Sequence, residues 1–172
     1  MILIYTQGQK GLYRSMSFMP FDDFISRFNA LYAKGHKIEG TALFLIRDIK
    51  SIPPYITQTM FSHGIIYEDN IFLSISSRSD PFGIVGYYRE DIANGIRSFD
   101  IEMGYMEMVS AEDIIKEAGI DERAIYYGLE DISAKNPVWK FFALIKRVMP
   151  TFIKFYEFSP EKLHGVITKV TM

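Results

Sequence analysis

The chain has 172 residues, enough for one domain with a sizeable core. Its net charge of −2 supplies no field to draw nucleic acid. The absence of cysteine excludes a disulfide framework and any zinc site built on thiolates. Aromatic residues reach 15%, the richness of a well-filled core or a contact surface. No apolar run approaches the roughly 20 residues a membrane-spanning helix needs.

Residues 1–19 carry weak periodicity and read as an arm or linker. The apolar run Met1 to Tyr5 is too short to cross a bilayer or to form a signal-peptide core, and reads as a short strand or buried tail. Pro20 opens a helix with Asp22 and Asp23 in its first turn, where the dipole favours anions. Phe21, Phe24, Ile25, Phe28, Leu31 and Tyr32 give it one apolar face, and Gly35 stops it. Thr41 to Ile46 and Ile71 to Ile75 are near-continuous apolar runs, typical of strands buried on both faces. Between them Pro53 and Pro54 start a helix that Gly64 closes. Ile84 to Tyr88 and Ile96 to Tyr105 form an antiparallel pair. The second alternates Phe99, Ile101, Met103 and Tyr105 with Asp100, Glu102 and Gly104, which predicts a solvated face near a sheet edge.

Ser110 caps a helix running to Gly119, with Glu112 and Asp113 in its first turn. Ala124 to Leu129 is a further strand. A long aromatic helix follows from Trp139 to Phe158, broken or kinked at Pro150. It is apolar nearly all round, so it is core or an interface. Ser159 and Pro160 open a last short turn, and Val166 to Val170 is a terminal strand. The order predicts an α/β fold: a mixed, partly parallel sheet of about five to six strands with helices packed on its faces. Residues 20–172 form a single domain.

The residues that could carry chemistry do not converge in the sequence. His36, His63 and His164 sit in separate turns without metal-ligand spacing. Ser159 and Lys162 have the Ser-x-x-Lys spacing of some acyl-transfer enzymes, but no partner motif accompanies them, and Ser159 before Pro160 suits an N-cap. Four carboxylate pairs, Asp22 with Asp23, Glu68 with Asp69, Glu112 with Asp113, and Asp121 with Glu122, fall at predicted helix starts or turns, where dipoles and solvent hold them. No catalytic residue, metal ligand or cofactor is expected. The polar stretch Ser74 to Gly83 follows an apolar strand, the place where open α/β sheets bind ligands. Ser76, Ser77, Arg78 and Ser79 are its candidate phosphate or nucleotide ligands. It lacks a phosphate-binding glycine motif, and a plain polar connection turned by Asp80 and Pro81 is the simpler reading.

One resemblance covers essentially the whole chain. Gly40-Thr-Ala-Leu-Phe44, then Pro53-Pro54, the turn at His63, and the strand Ile71 to Ile75 come in a characteristic order. Gly95-Ile-Arg97, Met103-Gly-Tyr-Met106, Tyr126-Tyr-Gly-Leu-Glu130, Phe141-Phe-Ala-Leu144 and Phe158-Ser-Pro160 continue it. This series resembles the C-terminal region of Kup/HAK/KT-type potassium uptake permeases. Ile4, Tyr5, Gly8, Lys10 and Arg14 look like the exit from that family's last membrane helix. Gly165, Ile167 and Met103 depart from the family pattern. The resemblance implies a structural or regulatory domain on the cytoplasmic face of the cell membrane. Its partners would be the permease's own membrane domain and a second copy. Potassium uptake, coupled to protons, would take place in the membrane part. It also implies cyclic di-AMP or an adenine nucleotide as a ligand. The reading from residues alone leaves two others open: a free-standing cytosolic nucleotide-binding protein or small enzyme, and an interaction module built on the aromatic helix.

Overall fold

The computed structural model describes residues 2–89, 92–107, 110–133 and 157–171. Helix α1 spans Ile2–Ser15 and is followed by strand β1, Met19–Pro20. Helix α2, Phe21–Lys34, buries Phe24 and Phe28 and keeps Asp22 and Asp23 in its first turn. Gly35 ends it, its N–H donating to Leu31 O at 2.6 Å. A Cβ there would lie 2.8 Å from that oxygen, so close approach is what requires glycine. Strand β2, Ile38–Ile46, is buried from Ala42 onward. Strand β3, Ser51–Ile52, pairs antiparallel with β1.

Helix α3, Pro54–Thr57, widens into a π-turn over Gln58–Ser62, and Gly64 at φ +66° reverses the chain. Strand β4, Tyr67–Arg78, leads to β5, Ile84–Tyr88, and β6, Ile96–Gly104. Helix α4, Ala111–Glu117, precedes β7, Glu122–Ser133. A 3-10 turn over Pro160–Lys162 enters the last strand, β8, Leu163–Thr171.

Six strands form one sheet in the order β5-β6-β4-β2-β7-β8. Every pairing is parallel except the antiparallel β5 and β6. The expected α/β fold, with its mixed sheet and antiparallel edge pair, is the one observed. Two cores sandwich the sheet. One face packs Ala42, Phe44, Phe72 and Tyr126 against Phe24 and Phe28 of α2 and Tyr55, Ile56 and Met60 around α3. The other packs Leu43, Leu45, Ile71, Leu73 and Phe99 against Ala111, Ile114 and Ile115 of α4. This double cover explains why β2 and the first half of β4 read as unbroken apolar runs.

Several sequence expectations need correction. The N-terminal run expected as a short strand or buried tail belongs to a helix, in which Leu12 is only 1% exposed. Ser76, Ser77 and Arg78 belong to β4 rather than to the connection after it, because β6 pairs beside them. Glu68 and Asp69 lie in β4, Glu122 begins β7, and His164 lies in β8; none is a turn residue. The alternation of β6 is real, but its polar face is not solvated: Ser98 and Asp100 are buried. The helix expected over Trp139 to Phe158 lies outside the described residues except for its last two, Glu157, which is in a turn, and Phe158, which is buried in the α4-side core.

Candidate functional site at the carboxyl edge of the sheet

In an open parallel sheet the ligand crevice lies where the crossovers diverge to opposite faces. Here β2 leads to β4 through α3 on one face, and β6 leads to β7 through α4 on the other. By the sheet order the chain leaves β2 toward β4 and leaves β7 toward β8 on the other side, so the divergence falls between β2 and β7, whose pairing ends at Phe44 and Tyr126. That gap is filled by Tyr55, which Pro53 and Pro54 deliver from the start of α3. Its hydroxyl donates to Leu45 O at 2.5 Å and lies 3.3 Å from Tyr126 O. Burial pushes its pKa well up, so it stays a donor.

Gly128 makes room for the ring, since a Cβ would stand 2.8 Å from Tyr55 Cδ1. Tyr126 stacks on Phe44 at 5.0 Å and on His164 at 5.2 Å. Its hydroxyl meets that of Tyr67 at 3.3 Å, and burial followed by that hydrogen bond raises its pKa. The place where a doubly wound domain receives a ligand is therefore an aromatic plug.

A small polar cleft opens beside the plug, toward β5. It is lined by Ile46, Arg47, Asp48, Ile49, Ser74, Arg89, Ser98 and Asp100 and holds about 40 Å³. Asp100 is 4% exposed and pairs with the half-exposed guanidinium of Arg89. That hydrogen bond pushes the pKa of Arg89 up, which keeps the guanidinium charged. Tyr87 donates to Glu102 Oε1 at 2.8 Å, and this bond raises the Tyr87 pKa. Arg47 stacks its guanidinium over Tyr13 of α1, 5.3 Å from the ring centre. Arginine–aromatic contact thus ties α1 to this edge.

The four sequence-predicted ligands do not converge. Ser76 and Arg78 share the cleft face of β4, whereas Ser77, one residue out of phase, points to the α4 face. Ser79 lies beyond the strand. Arg78 is paired with Asp80 at 3.2 Å. The pair between buried Asp100 and half-exposed Arg89 was missed by sequence reading. Its only signal was an Asp at a strand centre, which alternation assigns to solvent.

The other polar groups hold structure. Asp69 takes both arms of Arg97, at 3.0 and 2.5 Å, and accepts from Thr41 at 3.3 Å. Asn70 is buried and donates to Tyr67 O and Gly95 O, fixing the turn before β6. Ser159 and Lys162 do not act together: Lys162 binds the buried Glu122 at 2.8 Å, and the Ser159 N–H donates to Glu112 at 2.7 Å. Ser110 and Ser159 occupy N-cap positions without a side-chain cap bond. Among the described residues no three His, Asp or Glu side chains group to hold a metal ion.

Fold and site define a doubly wound α/β domain whose ligand crevice is closed by its own tyrosine. The profile described as "K+ potassium transporter C-terminal domain" matches residues 39–172. The chain is 47% identical over all its 172 residues to "Probable potassium transport system protein Kup" of Methanosarcina acetivorans, and 48% to that of Methanosarcina barkeri. It is 43% identical over 171 residues to "Probable potassium transport system protein Kup 2" of Geobacter metallireducens. It spans 28% of the length of each, at the C-terminal end. No solved structure matches the chain. The chain belongs to the K+ potassium transporter C-terminal domain family. That is a family of transporter domains.

Proposed function

We propose that this chain is the cytoplasmic C-terminal domain of a potassium uptake permease, where it supports and regulates a membrane part that moves the ion with protons. The observation that carries this reading is the full-length likeness to the C-terminal 28% of potassium transport proteins. The structure fits it in two ways. No helix among the described residues is long and apolar enough to cross a membrane, and this reading puts the ion path in the membrane part. The sheet's usual ligand crevice is filled by Tyr55, which suits a support more than a catalyst. Helix α1 precedes the domain and docks on it through Leu12 and the Tyr13–Arg47 contact, a rigid route for passing orientation between the two parts. In the same reading two copies associate through these domains.

Reading the genomic sequence upstream of the Met1 codon tests the assignment. In-frame sequence encoding several apolar segments of about 20 residues is expected. A stop codon directly upstream, with translation starting at Met1, would overturn it.

A second reading, ligand regulation, is favoured by one observation: Ser76 and Arg78 stand on one face at the carboxyl end of β4, next to the polar cleft. A phosphate of cyclic di-AMP or an adenine nucleotide would displace Asp80 from Arg78. Thermal unfolding with cyclic di-AMP, ATP and AMP tests this. A rise in melting temperature that Arg78→Ala removes supports it, and no rise with any of the three sinks it.

A further inference from the structure

We propose that β5 is a self-association edge: two copies of this chain pair antiparallel along Ile84–Tyr88 and join their sheets into one. This gives a surface to the association of copies in the reading above, and rests on that reading only for its setting in a permease.

The register shows which backbone groups are free. Val85 pairs with Glu102 and Tyr87 with Asp100. Gly104 N–H donates to Gly83 O at 2.8 Å, and Arg89 N–H to Ser98 O at 2.9 Å. In an antiparallel ladder this parity turns the N–H and C=O groups of Val85 and Tyr87 toward β6. Those of Ile84, Gly86 and Tyr88 therefore face outward, where the sheet has no further strand among the described residues. Such an edge is a template for another strand, and proteins blunt it with lysine, proline or inward-pointing charge. Ile84–Tyr88 contains none of these. The opposite edge differs: β8 carries His164 and Lys169, and α1 packs against it.

The surroundings match the backbone. Of the nine exposed large hydrophobic side chains among the described residues, six lie here: Phe82, Val85, Tyr87, Tyr88, Tyr105 and Met106. The loop that bears them is built rather than loose. Tyr105 N–H donates to Asp80 O, Met106 N–H to Pro81 O, and Gly83 N–H to Glu107 at 2.7 Å.

The occupant that fits is a second copy, because the strand is self-complementary about Gly86. A two-fold axis there sets Ile84 opposite Tyr88 of the second copy and Val85 opposite its Tyr87. Each aliphatic residue meets an aromatic one, a favourable cross-strand pair, and no charge meets its like. Gly86 at the axis leaves no side chain in the way. It is fixed as glycine by its own fold, since a Cβ would lie 2.7 Å from Ile114 Cγ2.

The test is sedimentation of the 172-residue chain up to about 1 mM, with three variants. The unaltered chain is expected to reach twice its 19.9 kDa mass. Val85→Lys should be monomeric with an unchanged melting temperature, because the new ammonium has Glu102 of its own β6 beside it, while lysine on an open edge disfavours a further strand and the two new ammoniums would stand diagonal to one another across the axis. The chain has no cysteine, so Val85→Cys with Tyr87→Cys should give a disulfide-linked dimer on mild oxidation. Ile84→Cys alone, which has no like residue opposite, should not. A monomer throughout would overturn both the edge and the association of copies. A dimer that survives Val85→Lys and does not cross-link would overturn the edge alone.

Discussion

The hydroxyl of Tyr55 holds two strand ends at once, through Leu45 O and Tyr126 O. Tyr55→Phe leaves both carbonyls without that donor and should cost about 1–2 kcal/mol in urea unfolding. Gly128→Ala should cost about 1–3 kcal/mol, because the new Cβ meets a ring that its hydrogen bonds keep in place. In a Tyr55→Ala background the same Gly128→Ala change should be nearly harmless, and a double-mutant cycle reads that coupling. Glu112 gives a pH prediction. Its hydrogen bond to Lys116, opposed by burial and helped by the Ser159 N–H, holds its carboxyl below the ordinary value. A depressed folded value means stability that is present above the unfolded value and lost as pH falls through the folded one. The stability gap between the native chain and Glu112→Gln should therefore be widest near neutral pH and close as acid protonates Glu112. An unchanged gap down to about pH 3 would contradict this. The Tyr55 and Gly128 pairing was half legible in the sequence. Pro53 and Pro54 announce the helix that carries Tyr55, but which strand ends its hydroxyl reaches depends on sheet order, which no local pattern encodes.

Helix α1 shows how an element escapes a reading by period. Gly8 and Gly11 interrupt its apolar spacing, yet Leu12 is buried and Tyr13 meets Arg47 from the end of β2. Long-range contact, not propensity, makes it a helix. Leu12→Ala should release it locally. Amide exchange in α1 should quicken while that of Leu43 to Leu45 in β2 stays slow; equal acceleration in both would show that α1 is part of the global core. The strands divide by chemistry. β2 announced itself because both its faces are apolar. The second half of β4 did not, because Ser74, Ser76 and Ser77 pair along β6 without an apolar pattern. Asp100 was assigned to solvent for a related reason: alternation separates two faces but cannot say that Arg89 will cover one of them.

At the scale of the molecule, a sheet covered on both faces and plugged at its crevice is a rigid body with an attached helix. Rigidity of that kind suits a part that sets the position of something else. The chain order of the six sheet strands could be read from the sequence, and so could the family. The closure of the crevice could not, because it is a property of the assembled edge. The account's central claim is that this chain serves as the C-terminal part of a potassium transporter. The most direct measurement is the initial rate of potassium uptake by a chimera in which the chain replaces the C-terminal 28% of the Methanosarcina acetivorans relative. The intact relative and its truncated form are the references, in cells without other potassium uptake. The account predicts uptake comparable to the intact relative and well above the truncated form. A chimera that reaches the membrane in equal amount yet takes up no more potassium than the truncated form would contradict it.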